Sequence, residues 1–94
     1  MSIQNFKCKE TEKIWQRQFS KKFSKDIQMH ARRRLVMLDS ASTFNDLRLP
    51  PSNRLEKLKG DRKGQYSIRI NDQWRVCFQF SEGGAFDVEI VDYH

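Results

Sequence analysis

The sequence predicts an α+β fold: a short N-terminal strand, two helices, then a three-strand antiparallel meander with one face packed on the helices. Three observations carry this. Apolar residues in the first half recur every three or four positions, the spacing of a helix face. Residues 65–93 contain three runs in which apolar and polar residues alternate, the spacing of half-buried strands. The opening "SIQNFKC" places Ile3, Phe6 and Cys8 near a short strand. A length of 94 residues suits one modest core, so residues 1–94 are read as one domain.

The first helix is read over 9–19, "KETEKIWQRQF", with Thr11, Ile14, Trp15 and Phe19 on one side. The second has clearer ends. Ser24 is placed to cap it and Asp26 sits in its first turn, where negative charge is favoured. Ile27, Ala31, Leu35 and Leu38 then form a core stripe, which puts Arg32-Arg33-Arg34 mostly on the wet side. Residues 43–64 cannot form one long helix, because Pro50-Pro51 forbids it and Gly60 and Gly64 mark turns. This connection carries Arg48, Arg54, Lys57, Lys59, Arg62 and Lys63.

In the meander, Tyr66, Ile68 and Ile70, then Trp74, Val76, Phe78 and Phe80, then Phe86, Val88 and Ile90 are assigned to the apolar face. Strand register follows from parity. Ile70 shares a face with Trp74 only if three residues, Asn71-Asp72-Gln73, form the loop; a two-residue turn would mix the faces. Ser81 to Gly84 supply the next turn. The opposite face then gathers Arg69, Arg75, Glu89 and Tyr93, with Asp92 and His94 at its rim and the Lys59 loop placed to pack above it.

Charge is unevenly spread. Residues 1–63 hold 16 of the 18 Lys/Arg and 7 of the 12 Asp/Glu, a net +9, whereas residues 64–94 carry −3. A basic region of this strength suits a polyanion, most simply nucleic acid, although charge alone equally fits a solvated surface. Cys8 and Cys77 have no metal-type spacing, and His30 and His94 lie far apart, so no metal site is expected. The opening "MSIQNFKCKE" has no signal-peptide pattern, and no apolar run approaches the ~20 residues of a membrane span. A cytoplasmic chain with two free thiols and no membrane partner is the expectation.

The stretches "LKGDRKGQYSIRINDQWRVCFQF" and "VEIVDYH" together resemble the HigB-type toxins of bacterial toxin–antitoxin pairs, within the RelE-like superfamily. The resemblance covers nearly the whole chain and implies a small RelE-like domain. It implies a ribosome-dependent mRNA interferase that cuts the codon displayed in the A site, without metal or cofactor. A helix-turn-helix antitoxin of the HigA type would neutralise it, and contact with operator DNA would come only through that antitoxin. By motif position, the functional residues would be Lys59 in "LKGDR", Arg75 in "QWR", and Asp92, Tyr93 and His94. Some relatives place a histidine before "LKGDR"; here Glu56 stands nearest, so the general base falls to Glu56, His94 or solvent.

These residue types suit metal-free RNA cleavage. The 2′-hydroxyl attacks the neighbouring phosphorus, a base takes its proton, an acid protonates the leaving 5′-oxygen, and cations stabilise the transition state. Arg75 is a forked cation matched to phosphate oxygens and Lys59 a point charge. A histidine can act as acid or base, and Tyr93 can stack on a base or donate a proton. Arg54, Lys57, Arg62, Lys63 and Arg69 are the candidate RNA-backbone contacts. Arg75 could instead pair with Glu89 across the sheet, and Lys59 could be one more solvated lysine. A non-catalytic RNA- or ribosome-binding module would use the same basic face. A ParE-like poison of DNA gyrase would share the fold, but the conjunction of Lys59, Arg75, Tyr93 and His94 argues against it.

Overall fold

The computed structural model describes residues 1–92. Strand β1 (Ser2–Ile3) leads into helices α1 (Lys9–Trp15) and α2 (Lys25–Ser40). Two 3-10 turns, Phe44–Arg48 and Pro51–Asn53, precede strand β2 (Glu56–Lys57) and a third turn, Gly60–Arg62. Strands β3 (Gln65–Arg69), β4 (Trp74–Ser81) and β5 (Gly84–Asp92) complete a five-stranded sheet in the order β1-β5-β4-β3-β2. The α+β class and the β3-β4-β5 meander match the sequence reading. The predicted N-terminal strand is present as β1 and adds in parallel to β5; the sheet is one strand wider than expected, because β2 adds antiparallel to β3.

Helix α2 forms as its sequence dictates. The Ser24 hydroxyl accepts from the Ile27 amide, and Ala31, Leu35 and Leu38 are fully buried. They pack with Ile14, Leu47, Ile68, Val76, Phe78, Val88 and Ile90 into the core. Helix α1 is shorter than the spacing suggested and stops at Trp15. Arg17 takes a left-handed φ of 62°, its amide bonds the Ile14 carbonyl, and the Gln18 amide reaches back to the Lys13 carbonyl. This double closure is a Schellman turn made without glycine. It throws Phe19 off the helix face into solvent, at 62% exposure. The arginine triplet is also less exposed than expected. Arg32 and Arg34 are half-buried, and the Arg34 guanidinium donates to the Arg69 carbonyl at 2.9 Å.

The parity argument for the first hairpin is correct. Arg69 faces Arg75, the Ile70 amide bonds the Trp74 carbonyl at 2.9 Å, and Asn71-Asp72-Gln73 form the loop. The Asn71 side chain accepts from the Gln73 and Trp74 amides, which stiffens it. In the second hairpin one expectation fails. A β-bulge breaks the register between Cys77 and Gln79, with Asp87 at a φ of 53°. Phe86 therefore faces Gln79 on the polar side, and Ala85 takes the core position opposite Phe80.

The connection over 43–64 is anchored at intervals. Leu47 and Asn53 are fully buried, Leu58 nearly so. The Asn53 side chain donates to the Leu47 and Leu49 carbonyls, fixing the two 3-10 turns together. That anchoring sets β2, and with it Glu56, beside β3.

Candidate active site on the polar face of the sheet

Register builds the site directly. Glu56 lies opposite Ser67, Ser67 opposite Cys77, and Cys77 opposite Glu89, one row across four strands. The next row is Arg69, Arg75 and Val91. All these side chains leave the sheet on the face away from the helices.

Arg75 is the centre of this face, and it is not exposed as a bare polar-face residue would be. Only 6% of it is accessible. Its Nε donates to the Ser67 hydroxyl at 2.7 Å, and its Nη2 donates to the Arg54 carbonyl. Its Nη1 stands 3.9 Å from a Glu56 carboxylate oxygen, and the Glu56 side chain is about half-exposed. The reason is local. Arg54, at the end of the second 3-10 turn, adopts a left-handed φ of 44° that points its carbonyl at the guanidinium. The fork is thereby fixed in place with one edge turned toward a carboxylate that solvent reaches.

The alternative pairing of Arg75 with Glu89 does not occur. Glu89 instead binds Arg62, whose Nη1 lies 2.9 Å from its carboxylate and 3.1 Å from the Gln65 amide oxygen. Lys7 approaches the same carboxylate at 3.9 Å. The bond to Glu89 raises the Arg62 guanidinium above its ordinary range, so it is a permanent cation. Through Arg62 the Gly60–Arg62 turn folds over the sheet, as the Lys59 loop was expected to do. Beneath it Cys77 is fully buried, and desolvation pushes its thiol up. Cys8 and Cys77 are both unbridged.

Among the other predicted residues, Lys59 is exposed at the start of that turn. Lys59, Glu56, Lys57, Leu58 and Arg62 line a hollow of about 360 Å³. Lys63 and Arg54 are exposed and do not line it, and Lys57 lies opposite Tyr66 in the sheet. Arg69 is tied to Asp72 within its own hairpin. Asp92 faces Trp74 and accepts from the Gln73 side chain at 3.2 Å, so its register places it off the Arg75 row. Tyr93 and His94 lie outside the described residues. Sequence reasoning missed Ser67 and Gln65 as holders of the two arginines. Their signal was present, since both are small or neutral polar residues alternating onto the arginine face. Among the described residues no group of three or more His, Cys, Asp or Glu could hold a metal ion, and no helix is long and apolar enough to cross a membrane.

Residues 4–94 match the family described as the RelE-like toxin of the type II toxin–antitoxin system HigB. The chain belongs to this family. Toxin HigB-1 of Vibrio cholerae serotype O1 is 49% identical over 55 residues, which are 58% of each chain. Endoribonuclease HigB of Proteus vulgaris is 39% identical over 61 residues, 65% of each chain. The matches thus span about three-fifths of these HigB relatives. A chain of the YoeB-YefM complex from Staphylococcus aureus superposes over all of this chain and 99% of its own length, with a TM-score of 0.62 at 21% identity. That likeness establishes a RelE-like fold for this HigB family member.

Proposed function

We propose that this chain is a toxin acting as an endoribonuclease on mRNA, that it cuts in the ribosomal A site and so stops translation, and that a HigA-type helix-turn-helix antitoxin neutralises it. The observation that carries the reading is the Arg75 fork, fixed by Ser67 and the Arg54 carbonyl and held 3.9 Å from Glu56, in a chain of the HigB family. An anchored guanidinium beside a solvent-reached carboxylate is the pair that phosphoryl transfer to an internal hydroxyl requires: a fixed cation and a proton acceptor.

In this reading the scissile phosphate docks on Arg75, with Lys59 and Arg62 drawing in the flanking phosphates. Glu56 or His94 takes the proton of the 2′-hydroxyl. The new P–O bond forms as the P–O5′ bond breaks, and His94 or Tyr93 protonates the leaving oxygen. The products are a 2′,3′-cyclic phosphate and a 5′-hydroxyl. The nucleophile is internal to the RNA, so no metal ion is needed to generate it. Asp92 acts at the rim by positioning its neighbours. Lys57, Lys63, Arg54 and Arg69 add diffuse charge, and contact with the operator occurs only through the antitoxin. The ribosome supplies the alignment that a small protein surface does not.

The deciding experiment is primer extension on a message translated in vitro with and without the protein, together with end-group analysis of the fragments. Cleavage within codons, cyclic-phosphate ends, and survival of naked mRNA are the expected results. An intact message, or equal cutting of naked and translated mRNA, refutes the proposal.

A further inference from the structure

A second surface lies on the side of α2 turned away from the sheet. Of the large apolar residues that are exposed, Phe19 (62%), Met29 (49%) and Val36 (39%) all line one hollow of about 620 Å³, between the turn after α1 and α2. Met29 and Val36 are two turns apart on α2, so they form a ridge, with Phe19 facing it across the hollow. Arg17, Arg32 and Arg33 border the same hollow, and among the described residues no carboxylate lines it. The guanidinium of Arg32 lies 5.5 Å over the Trp15 ring, and its Nε is shielded from water without a hydrogen-bond acceptor. A carboxylate is the group that pairs best with guanidinium groups gathered at one rim.

We propose that this groove docks an acidic amphipathic helix of a protein partner. Its apolar ridge would cover Phe19, Met29 and Val36, and its carboxylates would meet the guanidinium groups of Arg17, Arg32 and Arg33 that border the hollow. Clustered exposed apolar residues with a single-sign rim mark a protein-binding groove. RNA would satisfy the arginines but leave Met29 and Val36 uncovered, and a second copy would bring a like-charged face. The groove lies on the outer side of the helix layer and shares no residue with the Arg75–Glu56 pair, so a partner seated there does not cover that pair. The inference therefore stands independently of the RNA-cleavage reading.

The probe is a helix-stabilised, fluorescent peptide of about 18 residues with Leu at i, i+3, i+4 and i+7 and flanking Glu, titrated against the full chain by anisotropy and amide shift mapping. Saturable binding is expected, with shifts centred on Phe19, Met29 and Val36. Arg33→Glu and Phe19→Ser should each weaken it by about tenfold or more, with unchanged thermal melts because both side chains are exposed. The same peptide with Lys in place of Glu should not bind. Absence of saturable binding, indifference to Arg33→Glu, or equal binding of the Lys peptide overturns the proposal. So does a single-stranded RNA that binds the same residues more tightly than the peptide, or a self-association abolished by Phe19→Ser.

Discussion

The two faces of the same three strands solve opposite problems. On one, Ile68, Val76, Phe78, Val88 and Ile90 close against α2, and any of them could be replaced by a residue of similar size at modest cost. On the other, Ser67, Arg75 and Glu89 are also largely shielded, yet each depends on a specific partner. Burial is similar on both sides; tolerance is not. An apolar core is stabilised by area and volume, whereas a polar layer holds only if every donor meets its acceptor. The price of a fixed guanidinium is therefore sensitivity to small changes in its neighbours.

The sharpest break in this symmetry is Arg75. Arg75→Lys keeps a charge but loses the fork, and it should lower cleavage by about two to three decades, the loss associated with roughly 3–4 kcal/mol of barrier. Arg75→Ala should do the same and also destabilise the fold by about 1.5–3 kcal/mol, because Ser67 and the Arg54 carbonyl lose a charged donor. Urea melts run beside primer extension separate the two losses. Full activity of a folded Arg75→Lys protein would remove Arg75 from the chemistry.

The pair Tyr93→Ala and His94→Ala should reduce cleavage by about 10²-fold or more while leaving the melt unchanged, as expected for groups that serve proton transfer and not packing. A melt that falls with activity would assign them to structure instead. The converse experiment lies in the core. Leu35 is fully buried, and Leu35→Ala should cost about 2–5 kcal/mol in a urea titration. Cleavage per folded molecule should be unaltered.

Smaller effects test the polar layer alone. Glu89→Gln leaves Arg62 half-buried without its carboxylate and should lower stability by about 1 kcal/mol, less in high salt. Cys77 offers a pH test with a defined sign. Burial raises its thiol, so the folded state keeps a proton that the unfolded chain releases. The associated stability is complete below the unfolded thiol's pKa and is lost as pH rises through the folded value. Cys77→Ala should flatten that alkaline slope, and native Cys77 should alkylate more slowly than the half-buried Cys8. Equal labelling rates in the folded protein would contradict its burial.

The core face was legible because parity and helical spacing are properties of the chain itself. Ala31, Leu35 and Leu38 could be placed from spacing, and the Ile70–Trp74 register followed from arithmetic on which residues share a face. The polar face was legible as composition but not as pairing. Whether Glu89 meets Arg75 or Arg62 depends on how the connection over 43–64 folds back, and that is decided by Leu47, Asn53 and Leu58 finding burial. Strand β2 was hidden for the same reason: two residues carry no periodicity, and only their neighbour's open edge makes them a strand. The early stop of α1 was hidden because a left-handed Arg17 carries none of the signal of glycine.

The bulge at Asp87 has a practical corollary for anyone altering β5. It works as a phase inverter: on either side of it, odd and even positions exchange their allegiance to the two faces. A library that randomises alternate positions from Ala85 to Val91 as though the strand were uniform would scramble both faces at once. One that changes parity at Asp87 would address the polar layer through Phe86, Glu89 and Val91 and leave Ala85, Val88 and Ile90 untouched. Removing that single residue would restore plain alternation along β5, with Phe86 kept on the polar side opposite Gln79 and Ala85 kept on the core side opposite Phe80, so the inverter would vanish without either face being exchanged.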